Sequence, residues 1–82
     1  MLVNKTALIT GSTSGIGLGI AKALARQGAN IVLNGFGDSE MPQKEIAALG
    51  AKVVHHDADM SKPAEIEAMM AFAAETFGQV DI

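Results

Sequence analysis

Residues 10–17 read Thr-Gly-Ser-Thr-Ser-Gly-Ile-Gly, and this is the stretch of the 82-residue chain whose residue types and spacing could do chemistry. A loop that leaves a buried strand and enters a helix needs glycine where the backbone turns sharply, where it must approach a ligand closely, and where helix packs on strand. Gly11, Gly15 and Gly17 fit those three tasks in that order. The first turn of the helix then offers unpaired N–H groups and the positive end of its dipole, a site suited to a pyrophosphate. Ser12, Thr13 and Ser14 add hydroxyl donors. No Lys-Ser or Lys-Thr follows the last glycine, so a triphosphate-hydrolysing P-loop is disfavoured. A second candidate is Asp59-Met60, at the end of the third apolar run. His55 and His56 are adjacent in a strand pattern and so point to opposite faces, which removes a two-histidine metal site built from these alone. Met69-Met70 fits a helix stripe, and Glu65, Glu67 and Glu75 fit a solvated helix face.

The elements that must position these residues follow from periodicity. Residues 5–10 (KTALIT) form an apolar run that halts at Gly11, and a helical pattern opens at Ile16, with Ile20, Ala23 and Leu24 as its stripe and Gly28 past its end. Residues 29–33 (ANIVL) are apolar on both faces, as a strand covered by helices on each side should be. After the loop 34–38, Ser39 is placed to cap a helix that carries Pro42 in its first turn, Ile46, Ala47 and Leu49 as its stripe and Gly50 at its end. Residues 52–56 make a third strand. Ser61 is placed to cap a third helix, with Pro63 in its first turn, a stripe of Ile66, Met69, Met70, Ala73 and Phe77, and Gly78 as terminator. Residues 80–82 start a fourth strand. Strands alternating with helices at this spacing predict βαβ units and a parallel sheet, with an open edge beside residues 5–10.

Composition narrows the class. With 49% hydrophobic residues the chain suits one small α/β unit, and with no cysteine it has no disulfide, thiolate metal site or cysteine nucleophile. Six Lys/Arg against nine Asp/Glu give a net charge of −3 without a basic cluster, which argues against a nucleic-acid partner. No apolar run approaches the ~18 residues that span a bilayer, and no charged segment leads into an apolar one at the N-terminus, so the expectation is a cytoplasmic protein without a membrane partner.

The motifs together resemble the short-chain dehydrogenase/reductase family. Thr10 to Gly17 is similar to its Thr-Gly-x-x-x-Gly-x-Gly loop, Asp59-Met60 to its Asp-hydrophobic pair after the third strand, and Gly78-Gln79-Val80-Asp81-Ile82 to the lead-in of its fourth strand. The resemblance covers the whole chain. It implies the N-terminal half, residues 1–82, of a dinucleotide-binding Rossmann domain, a doubly wound parallel sheet of order β-α-β-α-β-α cut at the fourth strand. It implies cofactor contacts from Gly11, Thr13, Ser14, Gly15, Ile16 and Gly17, with the Ile16 N–H near the pyrophosphate. It also implies an Asp59 carboxylate on the adenine amino group and a Met60 N–H on a ring nitrogen.

The family position that often holds an acid for the ribose falls on Gly35, and two positions that often hold a base in NADP-preferring members fall on Ser14 and Phe36. A 2′-phosphate wants a cation and a free 2′-hydroxyl does not, so NAD is expected, with NADP as the alternative. Phe36 could pack near the adenine ribose or cover the helix below it. Asp38 could be a substitute acid or a solvated loop carboxylate. Within the family, the wording of residues 11–25 and of the loop 33–37 (LNGFG) resembles the bacterial branch that interconverts 3-hydroxybutyrate and acetoacetate.

The resemblance places the catalytic Ser, Tyr and Lys beyond Ile82, so none of the 82 residues is a catalytic candidate and the fragment alone is expected to be inactive. It further implies a homo-oligomeric parent enzyme with a small-molecule substrate. The opposed reading is a nonenzymatic nucleotide-binding half-domain or a product of gene decay.

Overall fold

The computed structural model describes residues 2–82; Met1, the first residue of the expected half-domain, lies outside the described residues. Three strands, β1 (Thr6–Ile9), β2 (Asn30–Asn34) and β3 (Val53–His56), alternate with three helices, α1 (Gly15–Arg26), α2 (Glu40–Ala47) and α3 (Pro63–Phe77). The strands pair in parallel in the order β1-β2-β3, with Ile9 beside Leu33 and Leu33 beside His55. This is the expected sheet, and its centre is β2, where Ile31, Val32 and Leu33 are fully buried.

Alternation along the strands divides the core. Ala7, Ile31 and Leu33 join Ala21 and Ala25 of α1 and Ile46 of α2 in one cluster. A Lys22–Glu45 ion pair also links these two helices, so they share a face of the sheet. The other face holds His56, whose ring meets Phe72 of α3 at 5.3 Å, with Met69 and Ala73 as the buried residues of that helix. Helices on both faces explain why β2 is apolar on both.

The structure corrects three details. In α1 the sheet-facing residues are Ala21 and Ala25, with Leu18 and Leu24 partly buried, whereas Ile16 and Ile20 of the expected stripe are 85% and 48% exposed. The helix carries two apolar stripes, and the one with small residues lies closer to the sheet. In α2 and α3, Leu49 and Met70 are exposed rather than core. The N-cap of α3 is Lys62, because the Ser61 hydroxyl is taken by Asp59 Oδ1 at 2.7 Å. Ser39 does cap α2 by position, yet its hydroxyl accepts from Gln43 Nε2, and Asp38 Oδ1 receives the Glu40 N–H at 2.8 Å. Asp38 is thus committed to the start of α2.

Residues 80–82 form no regular strand but lie along the free side of β1. Leu8 N–H donates to Ile82 O at 2.9 Å and Ile82 N–H to Thr6 O at 3.1 Å, the alternation of a parallel ladder. Asp81 Oδ2 accepts the Thr6 N–H at 2.9 Å. The edge expected to be open is therefore covered beside Thr6 to Leu8.

Candidate functional site

All three strands run the same way, so the loops 10–14, 35–39 and 57–62 emerge at one end of the sheet, where open α/β sheets bind ligands. Among the described residues no closed pocket occurs there.

The first loop turns through Gly11 and Gly15, whose φ values of 57° and 60° lie in the left-handed region that glycine enters without strain. Gly17 has a different task. A Cβ there would overlap the Gly11 carbonyl oxygen and lie 3.0 Å from both Gly11 C and Ser12 Cα, so α1 touches the turn backbone to backbone. Ser14 is the N-cap and makes no side-chain cap bond, and the first turn holds no acidic residue. The leading N–H groups, those of Gly15, Ile16 and Gly17, thus face outward without a partner among the described residues. That arrangement can bind an anion through its N–H groups and the helix dipole.

Of the three hydroxyls in the loop, one is unavailable. Ser12 is fully buried; its Oγ donates to Ile9 O at 2.7 Å and accepts from Asn34 N at 2.9 Å. Thr13 is half-buried and Ser14 exposed, so the donors available to a ligand are these two.

Asn34 is the residue that sequence reasoning left in a loop. It is 2% exposed, and its side chain joins all three strand ends. Oδ1 accepts the Gly11 N–H at 3.1 Å, and Nδ2 donates to His56 O at 3.2 Å and Ala58 O at 3.1 Å. Its own main chain accepts the Ser12 N–H at 2.6 Å. An asparagine directly after a fully apolar strand and before glycine is the signal that could have marked it, since such a residue must satisfy buried main-chain groups.

The other two loops carry the remaining candidates. Phe36 is 69% exposed, so most of its side chain lies at the surface of the second loop. Asp59 Oδ1 accepts both the Ser61 N–H at 2.9 Å and the Ser61 hydroxyl. Those two bonds hold the Asp59 carboxyl below its ordinary range, against a small opposing effect of burial and with help from Lys62. Asp59 Oδ2 and the Met60 N–H make no hydrogen bond among the described residues, which leaves an acceptor and a donor side by side. His55 and His56 do point apart, to Gly35 O and to Phe72, and no group of three metal-ligating side chains occurs among the described residues. No helix among them is long and apolar enough to cross a membrane.

A parallel sheet flanked by helices, with a glycine turn and an uncapped helix start at one end, makes this an α/β fold. The sequence model of the short chain dehydrogenase family matches residues 5–82, and the chain belongs to that family. It is 64% identical to a D-beta-hydroxybutyrate dehydrogenase of Cupriavidus necator, across all of this chain and 33% of that protein. A second D-beta-hydroxybutyrate dehydrogenase, from Rhizobium meliloti, is 57% identical across 98% of this chain and 33% of its own length. The chain thus spans about a third of these curated relatives. Among solved structures, a metagenomic short-chain oxidoreductase in complex with NADP superposes with a TM-score of 0.91 at 30% identity, over 99% of this chain and 38% of that one. A short-chain dehydrogenase/reductase from Sinorhizobium meliloti 1021 superposes with a TM-score of 0.90 at 36% identity, with the same two coverages.

Proposed function

We propose that these residues are the cofactor-binding N-terminal part of an NAD-dependent oxidoreductase that moves hydride between the nicotinamide and a secondary alcohol or ketone, with 3-hydroxybutyrate and acetoacetate as the pair. The observation that carries this reading is the uncapped start of α1 at the same sheet end as Asp59 and Met60. In it, the N–H groups of Gly15, Ile16 and Gly17 hold the pyrophosphate, Thr13 and Ser14 add hydroxyls, Phe36 lies against the adenosine ribose, and Asp59 with the Met60 N–H reads the adenine edge. When bound, the dinucleotide supplies the hydride chemistry; these residues bind and orient it. The general acid belongs to a part of the protein outside these residues, which contain no tyrosine. The substrate pair rests on the identity with the two D-beta-hydroxybutyrate dehydrogenases.

The preference for NAD rests on charge. Neither residues 10–17 nor residues 34–39 contain Lys or Arg, and Asp38 adds a negative charge. A 2′-phosphate there finds no cation, and losing a charge-assisted hydrogen bond costs about 1.5–3 kcal/mol, roughly ten- to a hundredfold. The test is to extend the reading frame past the Ile82 codon, express the whole protein and follow 3-hydroxybutyrate oxidation with each dinucleotide. We expect turnover with NAD at least about tenfold better in kcat/KM than with NADP. A stop codon after Ile82, or an NADP preference, would overturn the reading at those points.

The Asp59 geometry sets a pH dependence. A carboxylate whose folded pKa is depressed contributes above its unfolded value of about 4 and loses that contribution as pH falls through the folded value. Adenosine-end binding through Asp59 is therefore expected to stay flat from about pH 8 to pH 5 and to weaken only in acid. Calorimetric titration of the whole protein with NAD across that range checks this. An affinity loss between neutrality and pH ~5 that disappears in Asp59→Asn would contradict it.

A further inference from the structure

The peptide unit between Ala58 and Asp59 is gripped at both ends. Its carbonyl, Ala58 O, accepts from Asn34 Nδ2 at 3.1 Å, and its N–H, that of Asp59, donates to Glu65 Oε1 at 3.0 Å. Ala58 is fixed from behind as well, by its own N–H to His56 Nδ1 at 3.1 Å. The next peptide unit carries the Met60 N–H, and its carbonyl, Asp59 O, accepts the Lys62 N–H at 2.9 Å. These two peptide planes set where the Asp59 carboxyl and the Met60 N–H point, and among the described residues Glu65 is what ties the first of them to α3. Glu65 stands in the first turn of that helix and is half-buried, whereas Glu67 and Glu75 are exposed. Its second oxygen, Oε2, lies 3.6 Å from Lys62 Nζ. An acid in a first turn also favours the helix through its dipole, and a surface ion pair adds little. Neither effect requires the side chain to reach back past the N-cap to the Asp59 N–H.

We propose that Glu65 is a positioning residue for adenine readout: by holding the Asp59 N–H it fixes the direction in which Asp59 Oδ2 and the Met60 N–H face the base. This rests on the cofactor placement proposed above. Glu65 acts through the main chain and does not touch the dinucleotide. Without its oxygen, the peptide between Ala58 and Asp59 is held at its carbonyl alone and can rock about that bond. The acceptor and the donor then no longer keep one spacing and one direction. A base that needs both bonds at once loses affinity, and a base that cannot use the Asp59 carboxylate loses little.

The experiment compares two probes in the whole protein, NAD and nicotinamide hypoxanthine dinucleotide, whose base carries a carbonyl oxygen where adenine carries its amino group. Glu65→Ala and Glu65→Met remove the oxygen, the second keeping the length of the side chain; Glu65→Gln keeps an oxygen without the charge; Glu67→Ala is the control. Each is read by calorimetric Kd for both probes, by Tm, and by amide hydrogen exchange at Asp59 in the protein without dinucleotide. The parent is expected to prefer NAD by about tenfold or more, the worth of one charge-assisted hydrogen bond. In Glu65→Ala and Glu65→Met that preference should fall to about threefold or less, with Kd for the hypoxanthine dinucleotide within about twofold of the parent, and exchange at Asp59 should quicken about tenfold. Glu65→Gln should restore both the preference and the protection, although its Tm falls as the helix loses a first-turn charge. Glu67→Ala should match the parent in both. A parental preference in Glu65→Ala and Glu65→Met, an equal loss for the two probes, or a Glu65→Gln protein that behaves like Glu65→Ala would overturn the positioning role. A parent that binds the two probes equally would instead refute the adenine placement in the proposed function, and exchange at Asp59 would still decide whether Glu65 holds the peptide.

Discussion

Replacement of Gly17 by alanine is expected to destabilise the whole protein by about 2–3 kcal/mol and to weaken NAD binding about a hundredfold. The added Cβ falls on the Gly11 carbonyl oxygen, with Gly11 C and Ser12 Cα each 3.0 Å away, and all three belong to main chain. No flexible side-chain end can give way. Either α1 moves off the turn or the turn opens, and both displace the N–H groups of Ile16 and Gly17 from the place where they converge with the Gly11 loop. A shift of about 1 Å at such a site is enough for a loss of that size. Thermal melting and NAD titration of Gly17→Ala check the two effects. Gly19→Ala is the control, because nothing lies within 4 Å of a Cβ at Gly19. It should melt at or above the parent, since alanine is the better helix former. A Gly17→Ala protein with parental Tm and affinity would show that α1 does not touch the turn.

Asn34→Ala is expected to cost about 3–5 kcal/mol, because it leaves the Gly11 N–H and the carbonyls of His56 and Ala58 without their partner, at about 1–3 kcal/mol for each buried group that stays unsatisfied. The three loops lose their common tie, so NAD affinity should fall with stability. Asn34→Asp separates the hydrogen-bonding role from the packing role. It keeps the shape and the acceptor for Gly11 but turns an oxygen toward two carbonyl oxygens. Such a carboxyl favours its protonated form in the folded state, so its folded pKa lies above the unfolded value of about 4. Its stability contribution is then present below that value and is lost as pH rises through the folded pKa. Denaturant titrations should find Asn34→Asp far less stable than the parent at neutral pH, with part of the deficit recovered near pH 4. A deficit that does not change with pH would mean that the Nδ2 bonds to His56 and Ala58 contribute little.

The parts of the fold that were legible in the sequence are those where one residue type has one physical use. Gly11, Gly15 and Gly17 in an eight-residue stretch between a strand and a helix marked the turn, and the structure puts each at a turn or a close approach. The β-branched run of β2 marked a strand covered on both faces. The inward side of α1 was not legible, because Ile16, Ile20 and Ala23 form as good a helical stripe as Leu18, Ala21 and Ala25. Only the sheet decides that the alanines lie against it. Likewise Ser61 looked like a cap, but the nearer carboxylate of Asp59 takes its hydroxyl first. Ser12 looked like a ligand donor, but its hydroxyl is used by Ile9 and Asn34. The ties that Asn34 makes depend on chain crossings that no local pattern encodes.

The central claim is that the open start of α1 and the Asp59-Met60 pair hold the two ends of one dinucleotide. It is tested most directly by the structure of the whole protein with NAD bound. The account predicts pyrophosphate oxygens about 3 Å from the N–H groups of Ile16 and Gly17, the adenine amino group on Asp59 Oδ2 with a ring nitrogen at the Met60 N–H, and the adenosine ribose against Phe36. A dinucleotide seated away from the α1 start, or with its adenine turned from Asp59, would contradict it.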